Sequence, residues 1–399
     1  MGHVDKNMYA ISSMAKNTNL RIVALGTYDK GKPRTRIILR GLRENGAEVF
    51  ECHKDIWGAI EDKSQVRDFY EIFFIIWHFI IAYPVLIWRY LQLPKHDIVL
   101  IGYLGLFDVL ILWPFVRIRR TMLVWDVFLS LYNTVVEDRE MIGKYNPASI
   151  VLWCLEWLAL RLVDMALIDT QAHANYLIET YNLSTDKVKG LFVGVEPEMF
   201  HLAGNESGIN IPDNSKKKVL FYGQFIPLHG IETVVRAAKL TEGQDVQWLI
   251  IGRGQEAPKI RSLVDELQPK NLEWIEWVNY GDLKKYLAQC HLALGIFGIT
   301  EKAQRVIPNK VFQILMAGRP LITADTPAIR ELLEESNCVK LIPAGSPEAL
   351  ANSVVEYTLE YSNTSGCMFD KIRSLIKPST IGEELVTMLK TILINKQKI

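Results

Sequence analysis

Short apolar runs alternate with amphipathic stretches along most of the chain. The segment "LRIVALGTYDKGKPRTRIILRGLRENGAEVFEC" reads strand, glycine-containing loop, helix, strand. Leu20 to Leu25 is a buried-type apolar run, Pro33 suits a first helical turn, and Gly46 follows the helix before Val49 and Phe50. The same alternation continues through "DIVLIGYLG", "RTMLVWDVF", "DMALIDT" and "VKGLFVGV", each bounded by turn or helix signals. Strands that are apolar throughout are covered on both faces, so the pattern predicts a parallel sheet with helices on either side.

The chain turns polar between about Glu196 and Lys218, with "GNESG" and "PDNSKKK", and a linker is expected there. A second alternating set follows, from "KVLFYGQF" through "VQWLIIGRG", "LEWIEWV" and "LALGIF" to "PLITAD". The expected organisation is an α/β chain with two doubly wound, Rossmann-like halves facing a central cleft. The halves are residues 1–198 and 219–380, joined by a linker at 199–218. The amphipathic tail, residues 381–399, is expected to form a helix crossing back to the first half.

One segment interrupts this rhythm. "FYEIFFIIWHFIIAYPVLIWRY", residues 69–90, is long enough to span a bilayer, which takes about 20 apolar residues. It also lies inside an alternating set that resumes at once with "DIVLIGYLG". A core helix, an interfacial helix and a membrane span are all open. Trp77, Tyr83, Trp88 and Arg89 suit a headgroup boundary and favour the interfacial one, and Arg117, Arg119 and Arg120 would meet anionic lipid nearby. Otherwise the stretch carrying these three arginines is simply the next helix.

Composition narrows the chemistry. Lys plus Arg equals Asp plus Glu at 45 each, so no overall basic field draws the protein to nucleic acid, and any anion must be held by a local site. The five cysteines show no CxxC spacing and read as a reducing compartment without structural zinc. There is no HExxH and no Asp-x-Asp pair, and no metal or cofactor is expected. The first apolar run lacks a secretory cleavage pattern, and a cytoplasmic protein is expected.

The stretch "RVIPNKVFQILMAGRP" places Arg305, Pro308, Asn309 and Lys310 at the start of a helix, whose spare N–H groups and positive dipole end suit an anion. With "FYGQFIPLHGIETVVRAA", "LIIGRG" and "TPAIREL", in this order and spacing, it resembles the nucleotide-sugar domain of the family 4 glycosyltransferases. The first half, through "DTQAHANYL" and "GVEPEMF", resembles that family's acceptor domain. The resemblance implies the GT-B fold and a retaining, metal-independent transfer of a sugar from a nucleotide-sugar donor to an acceptor hydroxyl.

Lys310, with Arg305 second, is then the expected diphosphate contact; the alternative is a pair of surface cations flanking a loop. Asn309 is placed with the donor or as the helix cap. The family commonly carries two glutamates here. Their positions fall on Arg305 and Gln313, so Gln313 is left to hydrogen-bond the ribose and Glu301 to stand in as the acid. Where relatives place a phosphate-binding arginine and lysine, this chain has Gln224 and His229. His229 is either charged beside the diphosphate or a neutral turn residue. Gly223 and Gly298 are read as permissive for close ligand approach or as turns, and Arg253 as a base contact or an exposed arginine.

In the first half, Gly26 and Gly31 would let the loop after the first strand approach phosphates, with Arg34 adding charge, or that loop is simply flexible. Where relatives have histidine and aspartate, Trp125 and Asp126 stand, so only Asp126 is carried over, to orient or deprotonate the acceptor; its alternative is a local cap. The expected partners are a nucleotide-sugar, a saccharide or lipid-linked acceptor and an anionic membrane surface, with the protein peripheral at the inner face of the plasma membrane. Two other functions fit the same fold: a nucleotide-sugar epimerase and a non-catalytic nucleotide-sugar-binding subunit.

Overall fold

The structure is a computed structural model that describes residues 20–56, 69–202, 216–360 and 369–397. The chain divides into two units. The first takes in the described residues of Met1–Thr134, Ile142–Gly194 and Lys377–Ile399, and the second those of Val135–Met141 and Val195–Ile376. Most of the polar linker, residues 203–215, lies outside the described residues.

In the first unit the apolar runs form β1 (Arg21–Gly26), β2 (Glu48–His53), β3 (Ile98–Ile101), β4 (Met122–Phe128), β5 (Met165–Ile168) and β6 (Val188–Gly190). They make one parallel sheet in the order β2-β1-β3-β4-β5-β6. Helix α1 (Pro33–Glu44) opens on Pro33 as expected. Helices α2 (Phe69–Gln92), α3 (Leu106–Ile118), α4 (Pro147–Leu162) and α5 (Gln171–Tyr181) follow. Side chains from α2 to α5 share a core with alternate strand positions such as Val23, Val99 and Leu123, while Ile22, Leu100 and Val124 point into a second core on the opposite face. This follows from the two-residue period of a strand: a run apolar at every position feeds both faces.

In the second unit, β7 (Lys217–Tyr222), β8 (Val246–Ile251), β9 (Leu272–Ile275), β10 (Leu292–Leu294), β11 (Leu321–Ala324) and β12 (Val339–Ile342) form another parallel sheet. Its order is β12-β11-β10-β7-β8-β9. The first strand is central and pairs β8 on one side and β10 on the other, so the winding reverses between β7 and β10. In open α/β sheets, ligands bind beyond the carboxyl ends of the strands at such a reversal. Helix α6 (Ile231–Leu240) follows β7, and α7 (Asn309–Ala317) precedes β11.

The tail forms α8 (Pro378–Gln397), beginning earlier than the expected 381, and packs on α1 in the first unit. Gly41 and Gly382 meet backbone to backbone, where a Cβ on either would collide with the other, and Ile381, Leu385 and Leu389 join Ile37 and Leu42 in one core. The apolar segment at 69–90 is helical, and among the described residues no helix is long and apolar enough to cross a membrane. Cys52, Cys154 and Cys290 are free, but Cys338 is disulfide-bonded, contrary to the fully reduced reading. Spacing along the chain does not show which thiols meet in space.

Candidate functional site

The winding reversal in the second unit carries a concentrated charge. Lys310 sits in the first turn of α7, whose N-cap is Pro308 and whose opening carries no side-chain cap. Its side chain is only 4% exposed. The ammonium lies 3.7 Å from the centroid of the Phe221 ring and 3.4 Å from the Gly295 carbonyl. Phe221 is on β7 and Gly295 follows β10, so the cation is placed between the ends of the two strands where the winding reverses. Among the described residues no carboxylate pairs with it. Burial alone pushes its pKa well below the ordinary lysine value.

Gly223, directly after β7, has φ +143°, a backbone conformation L side chains rarely adopt. A Cβ there would lie 3.0 Å from His229 Cε1 and 3.2 Å from Lys310 Nζ. Glycine therefore keeps the space over both side chains open. His229 ends a short 3-10 turn, Pro227–His229, and is 8% exposed with its Nδ1 unpartnered. Burial, and then the charge of Lys310, hold its pKa well below the usual histidine value. Of the two readings for this residue, the unliganded protein has the neutral one.

Other expected donor contacts are engaged elsewhere. Gln313 is 5% exposed; its Oε1 accepts a hydrogen bond from Tyr222 Oη at 2.9 Å, and its Nε2 donates to Tyr280 Oη at 3.3 Å. In the unliganded protein that amide links two tyrosines. Asn309 is the first residue of α7 and does not cap it, because Pro308 holds the N-cap position. Glu301 and Arg305 pair with each other at 2.7 Å across one turn, so the expected substitute acid is instead a partner of the expected cation. Gly298 packs its Cα onto the Leu228 backbone, leaving no room for a ligand at that face. Arg253 is exposed and stacks over the Trp277 ring at 4.5 Å, on the outer side of its two readings.

In the first unit the residues expected at the site are engaged with one another. Gly26 has φ +121°, and a Cβ there would strike the Asp108 carboxylate. Asp108 accepts from Thr27 N at 2.7 Å and from Thr27 Oγ1 at 3.1 Å, and burial raises its pKa to about 6. The group approaching this glycine is thus an acid of α3, which is unsuited to phosphate. Arg34 and Asp126 form a salt bridge at 2.8 Å, with their side chains 0% and 2% exposed. Arg34 also donates to the Leu191 carbonyl at 2.7 Å. Neither residue of the pair presents its charge to a ligand. Asp169 and His173, inside the "DTQAHANYL" motif, form a second buried pair at 2.7 Å at the start of α5, where Thr170 caps the helix.

Asp108, Tyr222, Tyr280 and Phe221 were missed in the sequence. Phe221 was the most accessible of them, because it alternates with Leu220 on a strand ending at Gly223. Among the described residues no cluster of three or more His, Cys, Asp or Glu is arranged to hold a metal ion.

Comparison with known proteins gives this site a context. Residues 216–358 match the family model "Glycosyl transferases group 1". The chain is 26% identical over 187 residues to the putative colanic acid biosynthesis glycosyl transferase WcaI of Escherichia coli, covering 41% of this chain and 45% of that protein. It is 25% identical over 181 residues to the probable glycosyltransferase WbjE of Pseudomonas aeruginosa, covering 43% and 44%. The aligned part thus spans about half the length of these curated relatives. Among solved structures, Anabaena HepE in complex with UDP superposes with TM-score 0.64 at 13% identity, covering 94% of this chain and 100% of that one. Sucrose-phosphate synthase from Thermosynechococcus elongatus superposes with TM-score 0.63 at 14% identity, covering 96% and 98%. The fold is GT-B, built from two six-stranded Rossmann-like units, and the match to the glycosyl transferases group 1 model falls within the second unit.

Proposed function

We propose that the chain is a glycosyltransferase that moves a sugar from a nucleotide-sugar to an acceptor hydroxyl with retention of anomeric configuration. The observation that carries this reading is the buried, carboxylate-free ammonium of Lys310 at the winding reversal of a glycosyl transferases group 1 domain. In the reaction the acceptor oxygen bonds to the anomeric carbon, and the bond from that carbon to the β-phosphate oxygen breaks. The hydroxyl proton passes to the departing diphosphate. Negative charge grows on that diphosphate, and a cation already desolvated and in place stabilises it without reorganisation. The helix N-terminus adds N–H groups of the same sign. Glu301, the acid expected to stand in here, is paired with Arg305, and this disfavours epimerase chemistry. Anabaena HepE was solved with UDP and with UDP-glucose, and its likeness in fold makes uridine nucleotides the first ligands to try.

Thermal-shift screening against UDP, GDP, ADP and their sugars tests the reading. A ligand at a hundred times its Kd stabilises by about 2.7 kcal/mol, which raises Tm by about 5–10 °C for a unit of this size. No shift with any of them would end the transferase reading. A shift without nucleoside diphosphate release for any acceptor would favour a binding subunit.

The acceptor side of the proposal rests on the first unit. The outer faces of α2, α3 and α4, which pack side by side, expose Trp77, Trp88, Phe107, Ile118, Val151 and Leu158. Asp108 of α3 and Glu156 of α4 are each 1% exposed, while Arg89 and Arg120 are exposed. An apolar face bordered by cations, with Asp108 and Glu156 turned inward, fits an anionic membrane surface, so the proposed acceptor is lipid-linked and the protein peripheral at the inner face of the plasma membrane. Flotation with phosphatidylglycerol vesicles should carry the protein up, phosphatidylcholine alone should not, and Trp77→Ser with Trp88→Ser should weaken binding about tenfold or more. Unchanged flotation of the double variant would remove this part of the proposal.

A further inference from the structure

The segment Val135–Met141 lies between β4 and α4 in sequence yet belongs to the second unit. Its attachment is specific. Asp138 is 4% exposed and accepts a hydrogen bond from Thr300 Oγ1 at 3.3 Å, and its carboxylate lies 3.9 Å from Lys302 Nζ, which is also buried. The next residue, Arg139, accepts a hydrogen bond at its backbone carbonyl from Gln255 Nε2 at 3.0 Å. Both anchors fix the backbone on either side of the Arg139 side chain. That side chain is half-buried, and its Nε is buried with no hydrogen-bond partner. Phe297 N donates to the His229 carbonyl at 3.1 Å, so the chain leading from β10 to Thr300 and Lys302, on which this segment is anchored, runs beside His229. The Arg139 charge, like that of Lys310, opposes protonation of the ring. Lys310 Nζ and His229 Cε1 both lie close to the Cα face of Gly223. Arg139, His229 and Lys310 therefore belong to one neighbourhood of the second unit, where the buried Asp138 carboxylate is engaged by Thr300 and Lys302.

A guanidinium and an ammonium brought to one partly buried neighbourhood repel each other, and an anion between them relieves that repulsion. We propose that Arg139 is a positioning cation for the donor diphosphate, closing the anion site of Lys310 and His229 from a segment outside the sequence range of the matched domain. The inference rests on the transferase reading and adds the group that fixes phosphate orientation. Resemblance to the family implies an arginine at the position of Gln224, which here is neutral. A guanidinium supplied by another segment restores the planar, two-pronged donor that a lysine and a neutral imidazole lack.

The test is calorimetric titration of the full chain with UDP, inorganic pyrophosphate and uridine, between low and moderate salt, for the wild type, Arg139→Ala, Arg139→Lys and Lys310→Ala. Arg139→Ala should lower affinity for UDP and pyrophosphate about tenfold or more and flatten the salt dependence, while leaving uridine binding and Tm unchanged. Arg139→Lys should recover part of the affinity, because it restores charge without the fork. If Arg139→Ala binds UDP and pyrophosphate as the wild type does while Lys310→Ala does not, Arg139 has no such role and the transferase reading stands. If Arg139→Ala loses Tm and affinity together and Arg139→Lys restores both with no change in salt dependence, the residue is structural. If the wild type binds neither UDP, GDP, ADP nor pyrophosphate, the site itself is refuted and this inference falls with it.

Discussion

Replacing Lys310 by methionine is expected to raise the melting temperature of the unliganded protein while removing its affinity for nucleoside diphosphates. The two effects share one cause. The Lys310 ammonium is buried over Phe221 without a carboxylate, and burial holds its pKa well below the ordinary value. An unfolded chain binds that proton more readily than the folded one, so the group costs stability at every pH below the unfolded value near 10.5. An apolar side chain of similar length avoids the cost, by about 1–3 kcal/mol, which is about 3–9 °C in Tm. The same change removes the cation from a desolvated phosphate contact, and affinity should fall about thirtyfold or more. Differential scanning calorimetry with and without UDP reads both quantities. A Met variant that is less stable than the wild type, or that binds UDP equally well, would show that Lys310 is a packing residue. The unreplaced protein should also bind its donor more weakly as pH rises from 6 to 9. A diphosphate favours the charged forms of Lys310 and His229, both depressed when unliganded, so binding takes up protons.

Asp126→Ala is expected to be the most destabilising single change in the first unit, at about 3–5 kcal/mol. It would leave the Arg34 guanidinium, which is 0% exposed, without the carboxylate 2.8 Å away. Burial raises the Asp126 pKa and Arg34 opposes that shift, so the pair is held together by mutual compensation. The double variant Arg34→Met with Asp126→Leu should therefore be more stable than Asp126→Ala alone, since it removes both charges together. Urea denaturation of the three proteins checks this ordering. The opposite result would be Asp126→Ala keeping full stability while turnover falls a hundredfold or more, and it would return Asp126 to the acceptor chemistry first expected of it.

Much of the fold was legible because its signals are local. A run of consecutive apolar residues marks a strand covered on both faces, and such runs form β3, β5 and β10 and most of β1, β4, β7, β8 and β11, with helical patterns between them. Lys310 and Gly223 were readable for the same reason: a cation in the first turn of a helix and a glycine after a strand have meaning within a few residues. The contacts that were not legible join residues far apart in the chain. Arg34 and Asp126 are 92 residues apart, and no pattern in either neighbourhood announces that they neutralise each other. Gln313 was assigned to a ligand because its two tyrosine partners come from β7 and from a turn after β9. Gly26 was read as open because Asp108 lies 81 residues further on from Thr27, the residue it holds.

The sequence by itself determined the alternation of buried strands and amphipathic helices, the two-set organisation, and the cationic start of α7. All of these follow from side-chain period and from the chemistry of helix ends, which operate over a few residues. The tertiary structure decided which charges are neutralised and which remain for a ligand. It paired Arg34 with Asp126 and Glu301 with Arg305, left Lys310 without a carboxylate, and brought Arg139 into the second unit. A charge's availability depends on what surrounds it in three dimensions, and in a low-dielectric interior a single neighbouring carboxylate reverses its role.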